Sequence, residues 1–87
     1  MTWRKRFAAN VRYEELPTIG PFCLTEEPES LGKGKYRAKI ETEDKTFQLT
    51  TYEGTIGDIL YAMDETGKCE AYPEEVGDAT YVRFRSV

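Results

Sequence analysis

Histidine is missing from this 87-residue sequence altogether. Its absence removes every Ser-His or Cys-His nucleophile pair and every imidazole metal ligand. Cysteine occurs only as Cys23 and Cys69, too few for a disulfide scaffold and in no CxxC spacing. The two thiols read as buried or half-buried groups of an intracellular protein, with one Cys23–Cys69 bridge as the alternative. No apolar run reaches membrane-spanning length, and the opening MTWRKRFAAN has the basic residues of a signal peptide without the apolar stretch that should follow. A cytoplasmic location and no membrane partner are expected. Phosphate-cradling glycine loops are absent too: LGKGK has the wrong spacing and follows no strand. Asp64, Glu65 and Glu70 lack the spacing of a calcium loop. No metal, no cofactor and no catalytic activity are expected, because the aromatic supply suffices for one small core and not for a deep cavity as well.

The charges that are present come in blocks. The net charge is −4, and residues 1–13 carry Arg4, Lys5, Arg6 and Arg12 with no acid. Residues 14–30 carry Glu14, Glu15, Glu26, Glu27 and Glu29 with no base, and 58–78 holds seven acids against Lys68. Charge sorted in this way points to a partner chosen electrostatically, and the acidic balance makes another protein a better expectation than nucleic acid.

The chain reads as one domain over 1–87, divided into an extension at 1–34 and a core at 35–87. Trp3, Phe7, Ala8 and Val11 are spaced as a short apolar stripe and predict a short helix in the extension, with an extended arm as the alternative because Asn10, Val11 and Tyr13 are poor helix formers. PFCL can form an edge strand or a loop, and TEEPESLGKGK reads as a mobile acidic loop. From Lys35 the alternation sharpens. Tyr36, Ala38 and Ile40, then Phe47, Leu49 and Thr51, predict a hairpin around the corner TEDK. Thr55 with Asp58 predicts a helix start, Ile56, Ile59, Leu60 and Met63 its buried face, and Gly67 its end. KCEAY predicts a short strand cut by Pro73, and ATYVRFRSV a closing strand with Val82 and Phe84 inward.

The stretch KTFQLTTYEGTIGDIL resembles the strand–turn–helix entry of the ubiquitin-like β-grasp superfold, and DATYVRFRSV resembles its closing strand. The likeness covers residues 35–87 and implies an α+β fold in which the first hairpin strand and the last strand are neighbours. The family's C-terminal Gly-Gly is missing at Arg85-Ser86-Val87, so a modifier or sulfur-carrier role is not expected. Counting a strand near 19–24 gives the order β-β-β-α-β-β, which is also that of an OB-like small barrel.

On the β-grasp layout, Lys35, Arg37, Lys39, Tyr81, Arg83 and Arg85 face outward from adjacent strands as one basic patch, with Tyr52 beside it. The expected function is a small non-enzymatic protein-binding module, an adaptor or inhibitor. It would dock through this basic sheet face or through the acidic loops at 14–30 and 64–78, which could also act as a nucleic-acid decoy. The alternative is an OB-like single-strand nucleic-acid binder that stacks bases on Tyr36, Phe47, Tyr52 and Tyr81 and sets Arg37, Lys39 and Arg83 on phosphates.

Overall fold

The computed structural model describes residues 9–87; the Trp3, Phe7 and Ala8 part of the expected N-terminal stripe lies outside them. The strands are β1 (Ala9–Asn10), β2 (Cys23–Leu24), β3 (Glu29–Gly32), β4 (Lys35–Glu41), β5 (Thr46–Tyr52), β6 (Cys69–Val76) and β7 (Ala79–Ser86). A 3-10 helix, Tyr13–Thr18, follows β1, and the helix α1 (Glu53–Met63) lies between β5 and β6. The result is a small α+β domain with a mixed sheet and one α-helix. No helix among the described residues is long and apolar enough to cross a membrane.

The hairpin forms where alternation predicted it. In β4 and β5, Ala38 faces Leu49 and Ile40 faces Phe47 on the inner side, while Arg37 faces Thr50 and Lys39 faces Gln48 outside. Ala38, Ile40 and Leu49 are buried, and Tyr36 and Phe47 are half-buried. The far edge of β4 takes both β2 and β3, so residues 22–32 form one interrupted strand in place of the expected mobile loop. A two-residue turn holds that strand against β4. Lys33 (φ 55) and Gly34 (φ 79) both adopt positive φ between the paired residues Gly32 and Lys35, the conformation a type I′ hairpin turn requires.

The expectation that the last strand lies beside β4 is corrected. β7 pairs with β6 over eight residue pairs in a separate two-stranded sheet. The two-residue turn Gly77-Asp78 joins the strands directly, at a smaller loop-closure entropy cost than a longer-range pairing of β7 with β4. Strand β6 also runs through Pro73 to Val76. Counting back from the two-residue turn, Pro73 falls at a site whose missing N–H would point away from β7, so the ladder loses nothing.

Two features join the sheets. Phe22 and Cys69 exchange backbone bonds of 2.8 and 2.9 Å. The N-terminal segment spans the other gap. β1 runs parallel to β5, with Ala9 opposite Phe47, and the Val11 N–H donates to the Gln48 carbonyl at 3.0 Å. The Tyr13 hydroxyl then donates to the Val82 carbonyl of β7 at 3.1 Å. Ala9 and Asn10 are extended, a correction to the short helix expected through them, since Asn10, Val11 and Tyr13 are poor helix formers, and Leu16 in the 3-10 helix is fully buried.

α1 begins two residues before the expected Thr55 cap, with Tyr52 as its N-cap and no side-chain cap bond. The Glu53 N–H donates to the Gly34 carbonyl at 2.9 Å and turns the chain directly from strand to helix. Ile56, Ile59 and Ala62 are buried. Ala62 shifts the centre of the stripe away from Leu60, which is 48% exposed, a correction to the expected face. Gly67 (φ 81) ends the turn, its N–H reaching the Met63 carbonyl at 2.8 Å.

Two outcomes are expected. Lys33→Asn should raise the unfolding free energy by about 0.5–1 kcal/mol, because a left-handed backbone strains lysine more than asparagine. Leu16→Ala should lower it by about 3 kcal/mol, showing in a denaturant titration that the N-terminal segment is part of the core.

Candidate functional site

The seven residues that the sequence nominates are divided between the two sheets. Lys35, Arg37, Lys39 and Tyr52 stand on the outer face of β4 and β5, whereas Tyr81, Arg83 and Arg85 stand on the outer face of the β6–β7 hairpin. They do not form one basic patch, because β7 is committed to β6 along its length. Tyr36 and Phe47 turn inward and half-buried, so neither offers a face for stacking.

Four of the five cations on the two faces have carboxylate partners. Arg37 lies 3.4 Å from Glu29 and Lys39 lies 3.5 Å from Glu26. Arg83 Nε donates to Glu74 at 2.9 Å, and Arg85 Nε donates to Glu70 at 2.8 Å. Lys35 sits 6.0 Å from the centre of the Tyr52 ring. These pairs are half-exposed, and each contributes between nothing and about 1 kcal/mol to stability. Their consequence is geometric: they fix where the charges point.

The hairpin face is the more ordered of the two. Register places Glu70 opposite Arg85, Tyr72 opposite Arg83 and Glu74 opposite Tyr81. Each arginine also lies over a tyrosine ring, Arg85 over Tyr72 at 4.5 Å and Arg83 over Tyr81 at 5.5 Å. A guanidinium stacked on a ring and bonded through Nε has lost most of its rotamer freedom. The two Nη groups of each arginine remain for an outside acceptor. From Glu75 to Tyr81 every residue is exposed, so the hairpin's distal half stands clear of the core. Sequence reasoning missed Glu70, Tyr72 and Glu74, although their i, i+2, i+4 alternation was legible once β6 is allowed to continue past Pro73.

Other surfaces offer less. A cleft of about 460 Å³ lies between the N-terminal segment and β5, lined by Asn10, Arg12, Tyr13, Gln48 and Thr50 among others, and it is open to solvent. A second, of about 420 Å³, passes Cys23, Glu41, Glu43 and Lys68. Among the described residues, no three potential metal ligands gather. The outer side of α1 carries Glu53, Asp58, Asp64 and Glu65 around Leu60 and the 85% exposed Tyr61.

Both cysteines are free thiols. Burial first, then the neighbouring Cys23 and Glu70, pushes the Cys69 thiol up from the ordinary 9.0 to about 12. The chain matches no protein-family model, no curated protein and no solved structure.

The raised Cys69 value sets a pH dependence. The unfolded chain releases this proton near 9.0 and the folded one near 12. The contribution to stability is therefore complete below pH 9.0 and is lost as pH climbs through the window to 12. In Cys69→Ala the alkaline fall in unfolding free energy should be shallower by up to about 1.4 kcal/mol per pH unit, measured by denaturant titrations across that window.

Proposed function

We propose that this chain is a small non-enzymatic protein-binding module, of adaptor or inhibitor type, that docks through the outer face of the β6–β7 hairpin. One observation carries the reading: Arg83 and Arg85 are held by Glu74 and Glu70 over tyrosine rings on a projecting hairpin. Tyrosine and arginine are the residues in which binding energy concentrates at protein interfaces, and immobilising them beforehand lowers the entropy cost of docking. A cytoplasmic setting suits the two unpaired thiols.

A second reading rests on the strand connectivity, which supports an OB-like layout more than a β-grasp one. Residues 22–32, β4 and β5 form a three-strand meander, α1 follows the third strand, and the fourth strand, β6, meets the first through Phe22 and Cys69. The face of the second and third strands is where OB-folds hold oligonucleotides, and here it presents Lys35, Arg37, Lys39 and Tyr52. Yet Glu29 and Glu26 occupy Arg37 and Lys39, and the net charge of −4 opposes a polyphosphate. The nucleic-acid reading therefore stands second.

The two readings part in two measurements. A fluorescent oligothymidine titrated at about 50 and about 200 mM salt should show no saturable binding; tight binding that collapses with salt would overturn the protein-binding proposal. In affinity capture from the native cell, Arg83→Glu with Arg85→Glu should lower recovery of the captured protein by about tenfold or more with an unchanged melting temperature. Arg37→Glu with Lys39→Glu should leave recovery unchanged. The reverse pattern would move the site to the other sheet.

A further inference from the structure

The outer side of α1 carries features that the fold itself does not use. Glu53, Gly54, Gly57, Asp58 and Leu60 are exposed, and Tyr61 is 85% exposed. Gly57 precedes Tyr61 by one turn and Gly54 by two. Neither glycine has positive φ, and a Cβ at either would meet nothing within 4 Å. Backbone geometry and packing therefore require neither, although glycine inside a helix costs stability. Their effect is a bare strip on the side toward which the Tyr61 side chain leans, since helical side chains point back to the N-terminus. The acids are placed against stability as well. α1 has no basic residue in its last turn, and Asp64 and Glu65 stand at its C-terminal end, where the helix dipole repels negative charge. Among the described residues, Glu53, Asp58, Asp64 and Glu65 have no ion-pair partner.

We infer that this face of α1 docks a basic segment of another protein, with one arginine of the segment anchored at Tyr61. It is a second surface, on a different element from the hairpin contact and independent of it. A groove of about 210 Å³ between α1 and β7 receives the anchoring arginine, with Tyr61, Asp64 and Glu65 on its helix side and Phe84 on its strand side. Such a groove has room for one side chain and not for a small-molecule ligand. Ser86, whose hydroxyl donates to the Ala62 carbonyl, joins the two walls. Arg85 also borders the groove, but its Nε donates to Glu70 and its guanidinium lies over Tyr72, both on β6. The two carboxylates at the groove are thus left for an outside cation. A planar guanidinium can stack on the tyrosine ring and bond a carboxylate through its edge at once, which an ammonium does less well. Asp58 and Glu53 carry the negative charge along the helix to about 16 Å from Asp64, where further cations of the segment meet it. The glycine strip lets the backbone of the segment approach closely. Negative charge of this kind turns away nucleic acid and anionic membranes.

The probe is a blocked synthetic peptide of alternating arginine and glycine, titrated into the full chain and followed by amide NMR shifts. Shifts should centre on residues 57–65 and weaken as salt rises. A lysine–glycine peptide should bind about threefold more weakly, and a glutamate–glycine peptide should not bind. Tyr61→Ala should weaken the arginine peptide by about tenfold with an unchanged melting temperature, since so exposed a ring adds little to the core. Asp64→Lys with Glu65→Lys should hold or raise the melting temperature, because cations suit a helix C-terminus, and should abolish binding of the arginine peptide. A loss of binding in a variant that melts no lower cannot be ascribed to unfolding. Gly57→Gln should likewise stabilise the helix and weaken the peptide. Arg4→Gln with Lys5→Gln and Arg6→Gln should leave the affinity unchanged; a gain would assign the face to the chain's own N-terminal cations and overturn the inference. It is also overturned by shifts centred on the acids at 26–29 or 70–75, by equal binding before and after the Asp64 and Glu65 reversal, or by calcium chloride reproducing the shifts. Concentration-dependent α1 shifts in the chain alone would make a second copy the occupant and overturn it too.

Discussion

One antiparallel residue pair holds the two sheets in register. Phe22 and Cys69 are fully buried and exchange both backbone bonds, so two amides and two carbonyls in the core find partners that neither sheet would supply alone. Buried backbone groups left without partners would cost more than most single side chains contribute. The pair also fixes the position of the hairpin. With Cys69 anchored, the inner residues Ala71, Val82 and Phe84 meet the sheet core, and the Phe22 ring packs edge-on against Phe84 at 6.4 Å. The outer residues of the same strands are then displayed to solvent as a consequence.

The second joint is of a different kind. Strands β5 and β7 do not reach each other, and the segment from Ala9 to Thr18 fills the interval with one parallel strand, two turns of 3-10 helix and the buried Leu16. A chain of this length commands a small core, and an N-terminal segment that contributes a fully buried leucine is part of that core. The extension is structural over these residues, and the division of the sequence at residue 34 does not correspond to a boundary in the fold.

Legibility in the sequence followed the range of the interactions involved. The β4–β5 hairpin and the helix after it depend on neighbours within about 20 residues, and alternation and helical spacing located both. The pairing of β7 with β6 was missed because Pro73 read as a breaker, when its missing N–H faces an open edge and costs the ladder nothing. The strand at Glu29–Gly32 was hidden by its charge and glycines, although Gly32, Lys33 and Gly34 are what the turn into β4 requires. Phe22 and Leu16, two of the most buried residues, carry no periodic signal because each stands in an element of a few residues. The outward parity of Arg37, Lys39, Arg83 and Arg85 was readable strand by strand. Which strands adjoin was not, since that depends on the bridge at Cys69.

Charge pairing limits what the surface can do. Arg37, Lys39, Arg83 and Arg85 are each answered by a carboxylate from a neighbouring element of their own sheet, so neither face presents a field of one sign. At physiological salt such balanced pairs are felt over about 8 Å, and long-range attraction of a polyanion has no source in them. Recognition at short range is a different matter, because it depends on donors whose positions are already fixed. The stacked guanidiniums of the hairpin meet that condition. The ion pairs that cancel the net field are thus the same contacts that prepare a directional one.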